Sequence, residues 1–219
     1  MAVYFGLKMS SVAKTVSLCL GFIVIVVIMF VYSTMRTPQL SDDELRDKGV
    51  FLLPKPRDIS PFSLQLADAD FSNDDLKGKW SFVFFGFTHC PDVCPTSMSE
   101  LGKADLALQD TTGERANAFQ GVLVSVDPDR DTPMEVTEYA KFFSPRFLGA
   151  TAPREVLAEL TQQVNVAFAK VPDGNGGFTV DHTGNIVLIN PHGHYHGFMK
   201  LPHDAETIRL TYQSLDARF

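Results

Sequence analysis

From Thr15 to Met35 the chain carries no charged residue, and this run limits what the rest can be. Its centre, Val16 to Tyr32, reads VSLCLGFIVIVVIMFVY and is almost wholly apolar. As a helix, Thr15 to Ser33 would rise roughly 28 Å, close to the hydrocarbon thickness of a bilayer. Lys8 and Lys14 precede the run; Arg36 and then the acidic group Asp42, Asp43 and Glu44 follow it. The positive-inside tendency therefore puts residues 1–14 in the cytoplasm and everything after the run on the far side. A cleaved signal peptide would have a shorter apolar region followed by small residues at a cleavage site, and neither is present. The expectation is one transmembrane helix at 15–35, attaching the protein to a membrane. Cys19 then faces lipid or packs within that helix.

The charge balance supports an exported domain. The net charge is −7. Leaving out Lys8 and Lys14, 17 basic residues face 26 acidic ones beyond residue 35, a balance of −9. Such a chain is poorly suited to nucleic acid, so no nucleic-acid partner is expected. Residues 36–57 contain Pro38, Pro54, Pro56 and many charges, and read as a linker. That leaves 58–219 as the folded domain.

Within that domain, segments of strand and helix character alternate. Pro61 to Leu66 alternates like an edge strand. Trp80 to Thr88 (WSFVFFGFT) and Gly121 to Val126 (GVLVSV) are dense apolar runs, read as strands buried on both faces. Pro95 opens a helix with Met98, Leu101, Ala104 or Asp105, and Leu108 at helical spacing. Thr132-Pro133-Met134-Glu135 is a capping box with proline at the first helical position, starting a helix to about Phe143. A third helix pattern runs from Pro153 to about Phe168. Val187 to Asn190 and His196 to Lys200 read as a hairpin, and a last helix spans Asp204 to Leu215. This order predicts an α/β domain with a mixed central sheet.

Three cysteines are too few for a disulfide scaffold. With Cys19 in the apolar run, the exported part keeps two, in Phe87-Thr88-His89-Cys90-Pro91-Asp92-Val93-Cys94-Pro95. They lie between a buried strand and a helix start, where helix N–H groups favour thiolate. Two thiolates so placed can close a disulfide or grip a soft metal. Most metals would need a third ligand, and histidine is the natural candidate. His182, in Thr179-Val180-Asp181-His182-Thr183, stands 88 positions beyond Cys94, so only the fold can bring it near. His192, His194 and His196 alternate and could share one face of a strand, but Gly193 favours a turn that scatters them. His89 adjoins Cys90, which is weak evidence for a ligand.

Three motifs in order carry a resemblance. Phe-Gly-Phe-Thr-His-Cys-Pro-Asp-Val-Cys-Pro at 85–95, Ser-Val-Asp-Pro-Asp-Arg-Asp-Thr-Pro at 125–133 and Val-Asp-His-Thr at 180–183 are similar to those of the SCO/SenC family. The resemblance extends over most of 58–215, including Phe143-Ser144-Pro145-Arg146. It implies a thioredoxin-like fold and a copper chaperone that assists assembly of the dinuclear copper centre of cytochrome c oxidase. It also implies metal ligands at Cys90, Cys94 and His182, holding Cu(I), Cu(II) or both. Implied partners are the copper-bearing oxidase subunit and an upstream copper donor or thiol reductant. The implied location is a bacterial inner membrane, with the domain in the periplasm. Asp181 is a candidate to orient a ligand. Asp127, Arg130 and Asp131 are candidates to position a partner or the cysteine loop.

The competing activity is thiol–disulfide oxidoreduction by Cys90 and Cys94, acting on the oxidase's cysteines or on other exported proteins. Against it, three residues separate the cysteines where thioredoxins have two, and no proline immediately precedes Thr179. Thiol peroxidase chemistry is disfavoured, because Pro91 and Phe87 stand where peroxiredoxins have threonine.

Overall fold

The molecule divides into two units, one ending at Pro38 and the other spanning Gln39–Phe219. The computed structural model describes residues 11–35, 39–112, 118–172, 174 and 176–219. Lys8 and Arg36, on which the orientation of the apolar run was argued, lie outside the described residues. The described residues of the first unit form one helix, α1 (Ser11–Met35). Its apolar side chains from Val16 to Phe30 are exposed. Its side chains are described without a break only over residues 14–30. Among the described residues, no helix is long and apolar enough to cross a membrane.

The second unit begins with α2 (Asp42–Asp47), whose Ser41 and Glu44 form a capping box, and β1 (Val50–Arg57). Residues 42–57 are therefore part of the folded unit, where composition pointed to a linker. The reason lies at the sheet edge. β1 pairs with a neighbour from Val50 to Leu52 and again at Arg57, with a register shift between. Pro54 and Pro56 fall inside that shift on an outermost strand, where a missing N–H breaks no central ladder.

A short ribbon follows, β2 (Ser63–Gln65) with β3 (Asp70–Ser72), separate from the main sheet. Next come β4 (Trp80–Gly86), α3 (Val93–Thr112), β5 (Phe119–Ser125), α4 (Pro133–Phe143), β6 (Leu148–Ala150) and α5 (Arg154–Gln163). A second ribbon, β7 (Phe168–Pro172) and β8 (Phe178–His182), precedes β9 (Ile186–Ile189), β10 (Tyr195–Met199) and α6 (Ala205–Asp216). The main sheet has the order β1-β10-β9-β4-β5-β6. β4, β5 and β6 run parallel, while β9, β10 and β1 join antiparallel. This is the mixed sheet expected. β4, β5 and β9 are buried along their whole lengths, which is why their sequences run apolar without alternation.

Helix positions read from the sequence mostly fall where expected. Met98, Leu101, Ala104, Asp105 and Leu108 on α3 are all buried. Asp105 tolerates burial because Ser144 Oγ and Arg146 Nη2 each reach it at 2.6 Å, tying α3 to the segment after α4. α5 stops at Gln163, short of the expected Phe168, where Asn165 takes a left-handed φ of +58° and turns the chain into β7. The Thr132 hydroxyl accepts from the Glu135 amide and the Glu135 carboxylate accepts from the Thr132 amide, so the capping box is complete. Thr132→Ala should lower stability by about 1 kcal/mol, read as a shift in the urea midpoint with unchanged slope.

Candidate metal centre

The centre is built at the carboxyl end of β4, where the strand leaves the sheet after Gly86 and turns into α3. Cys94 sits in the first turn of α3, and its N–H, an orphan donor of the helix start, points to Cys90 Sγ at 3.4 Å. The loop that presents Cys90 is held from below. Asp131, buried beyond β5, accepts from the Thr88 amide at 2.9 Å, the Thr88 hydroxyl at 2.6 Å and the Ser125 hydroxyl at 2.5 Å. The Cys90 amide donates to the Phe87 carbonyl at 3.3 Å, closing the turn.

His182 arrives from the far end of the β7–β8 ribbon. The chain after it is fastened to Ala167, by Thr183 N–H to the Ala167 carbonyl at 2.9 Å and by Ala167 N–H to the Thr183 hydroxyl at 3.0 Å. The imidazole Nδ1 lies 3.2 Å from the Thr183 carbonyl and Nε2 lies 3.5 Å from Cys94 Sγ. When a metal is bound, a proton on Nδ1 donated to that carbonyl would free the Nε2 lone pair to join the sulfurs as a ligand. Phe84 and Phe87 stand edge-on to the ring, with centroids at 5.9 and 5.8 Å. The three ligand atoms of Cys90, Cys94 and His182 all lie within 4.8 Å of one another. Among the described residues, this is the one group of three or more metal-ligating side chains so close.

The two thiols are unequal. The hydrogen bond from Cys94 draws the Cys90 thiol down to about 4, against the opposing effect of partial burial, with further help from His182 and backbone amides. Cys94 is pushed up, first by its neighbour Cys90 and then by burial. The pair therefore holds its first negative charge on half-buried Cys90 and a proton on buried Cys94. A metal taking both sulfurs would displace that proton. Beside the ligands a cleft of about 250 Å³ opens between Phe87, Pro91, Val93 and Leu201, so Cys90 and His182 can be reached from outside.

The other candidates separate from this centre. Asp181 is exposed and pairs across the ribbon with Ala169; the Thr183 carbonyl, not Asp181, meets the His182 ring. His89 turns to Thr88 and Asp131. His192 lies tilted against Phe219, His194 pairs with Asp58 at 3.2 Å, and His196 packs edge-on to Trp80. Asp131 anchors the cysteine loop as expected, whereas the aromatic walls at Phe84 and Phe87 were legible only as core. Arg130 meets Asp127 and also reaches the β7–β8 ribbon.

A protein of Stutzerimonas stutzeri, named for copper binding, is 36% identical over 169 residues, covering 75% of this chain and 81% of that one. The Arabidopsis thaliana ScoI structure with copper bound superposes with a TM-score of 0.67 at 30% identity, covering 73% of this chain and 98% of that one. The copper-bound ScoI of Bradyrhizobium japonicum gives 0.62 at 32% identity, with 74% and 98% covered. The domain thus has the thioredoxin-like fold of these proteins. The SCO1/SenC family profile matches residues 53–215, which take in the cysteine loop, the Asp127–Asp131 segment and His182, and so the chain belongs to the SCO1/SenC family.

Proposed function

We propose that the protein is a copper chaperone whose cargo is held by Cys90 Sγ, Cys94 Sγ and His182 Nε2. The observation that carries this reading is the convergence of these three atoms within 4.8 Å from segments 88 positions apart. The donor set fits copper. Two thiolates favour Cu(I), and the added imidazole accommodates Cu(II). A cleft beside the ligands suits a metal that must leave for another protein. Family membership supports the copper-bearing subunit of cytochrome c oxidase as the proposed recipient, and an upstream copper donor would complete the route. α1 is the membrane anchor, supported by its exposed apolar side chains and by the uncharged sequence from Thr15 to Met35. Residues 1–14 then lie in the cytoplasm and the domain in the periplasm of a bacterial cell.

Dithiol chemistry is the second reading, favoured by the lowered Cys90 thiol next to a protonated Cys94. In that role the pair would reduce the recipient's cysteines and itself become a disulfide, then need a thiol reductant to reset it. A strain lacking the protein separates the two. Recovery of oxidase activity on adding copper alone supports delivery; recovery with an added thiol reductant and not with copper supports reduction.

A further inference from the structure

We propose that Arg130 is a positioning residue for the centre: it clamps the β7–β8 ribbon, and with it His182, against the strand end that carries the cysteine loop. This rests on the copper reading above. β7 and β8 pair only with each other, outside the six-stranded sheet. The sheet's ladder reaches back only to Ile186, which pairs with Phe84 on β4, so the ribbon that ends at His182 beyond it leaves room for side-chain contacts to set its distance from the cysteines.

Arg130 spans that gap. It lies between β5 and α4, and its Nε donates to the carboxylate of Asp127, which has no exposed surface. Its Nη1 donates at 3.3 Å to the carbonyl of Phe178, the first residue of β8. The guanidinium also faces the Phe178 ring at 4.4 Å and the Phe87 ring at 5.7 Å. Phe87 in turn flanks the His182 imidazole and accepts from the Cys90 amide. One side chain thus touches the root of the His182 strand and the residue that supports Cys90.

The ion pair is not closed in the way a purely structural pair would be. Asp127 Oδ1 and Arg130 Nη2 are both buried without a hydrogen-bond partner among the described residues. Arginine and carboxylate commonly meet through two parallel bonds. Here the second is unmade, and the guanidinium is set instead for the Phe178 carbonyl and the two rings. The ribbon's other charged contacts, Lys170 with Asp129 and the Arg154 guanidinium 5.9 Å from the Phe168 ring, lie toward the surface, where such contacts contribute little.

The test uses the full-length chain as wild type, Arg130→Met and Arg130→Lys, alone and combined with His182→Ala. Arg130→Met should release copper about tenfold faster or more, the usual scale for groups that orient a ligand. Arg130→Lys, which keeps the charge without the planar fork, should fall between. In the His182→Ala background, Arg130→Met should add nothing, because its effect passes through the histidine. Equal release by Arg130→Met and wild type, or full additivity with His182→Ala, would overturn the proposal. Amide exchange on the metal-free chain reads the clamp without copper. Arg130→Met should speed exchange in β7–β8 and leave β4 and β5 slow, and unchanged β7–β8 exchange also overturns it. A wild-type chain that takes up no copper would instead remove the ligand assignment.

Discussion

His182→Ala is expected to weaken copper binding by about a hundredfold or more, the share of one ligand in a protein metal site worth about 10–16 kcal/mol. The loss should be larger for Cu(II) than for Cu(I), because the remaining thiolates already satisfy the softer ion. The imidazole is already aimed: Nδ1 is engaged by the Thr183 carbonyl and Nε2 stands 3.5 Å from Cys94 Sγ. Little reorganisation is then needed on binding, and removing the ring removes a pre-set ligand. Alanine at His194 or His196 should leave affinity unchanged, since those rings are committed to Asp58 and Trp80. Competition titration against a copper chelator measures all three variants. Unchanged affinity in His182→Ala would exclude the histidine as a ligand.

Asp131→Ala should cost at least about 3 kcal/mol of stability, the scale for leaving several buried donors without a charged acceptor. Three donors converge on this carboxylate: the Thr88 amide, the Thr88 hydroxyl and the Ser125 hydroxyl. Only the amide has a fixed direction; the hydroxyls can rotate. Asp131→Asn, which keeps one accepting oxygen, should therefore be milder. Both should also lower copper affinity, because Thr88 is two residues from Cys90 and its anchoring sets the loop. Urea unfolding of the metal-free chain gives the first effect and chelator competition the second. A midpoint unchanged in Asp131→Ala would mean that the loop is held elsewhere.

The fold was legible where local and global demands coincide. β4 reads directly from Trp80 to Gly86, because a strand buried on both faces has no reason to alternate. The start of α4 reads from Thr132 to Glu135, because a capping box is complete within four residues. β1 was hidden because Pro54 and Pro56 are breakers in most contexts, and only an edge with a register shift excuses them. β7 was hidden behind the helical spacing of α5, which ends on a conformation at Asn165 that its flanking residues do not announce.

The site divides in the same way. Cys90 and Cys94 could be singled out by position alone, since a strand, a short loop and a helix start place both on one turn. His182 could not. Its neighbours mark a strand end and nothing more, and its meeting with Cys94 is a property of the ribbon's placement. The family resemblance supplied that link, and the geometry then gave it a distance. Arg130 could be assigned to the loop's surroundings, but its hold on Phe178 appears only once β8 is seen to stand apart from the sheet.

In the proposed centre one copper is held by two sulfurs and one imidazole nitrogen. Copper X-ray absorption on the reduced, copper-loaded full-length chain tests it most directly. The expected copper shell has two sulfur neighbours and one imidazole nitrogen, and the nitrogen is lost in His182→Ala. A copper shell without sulfur, or one identical in wild type and His182→Ala, would contradict it.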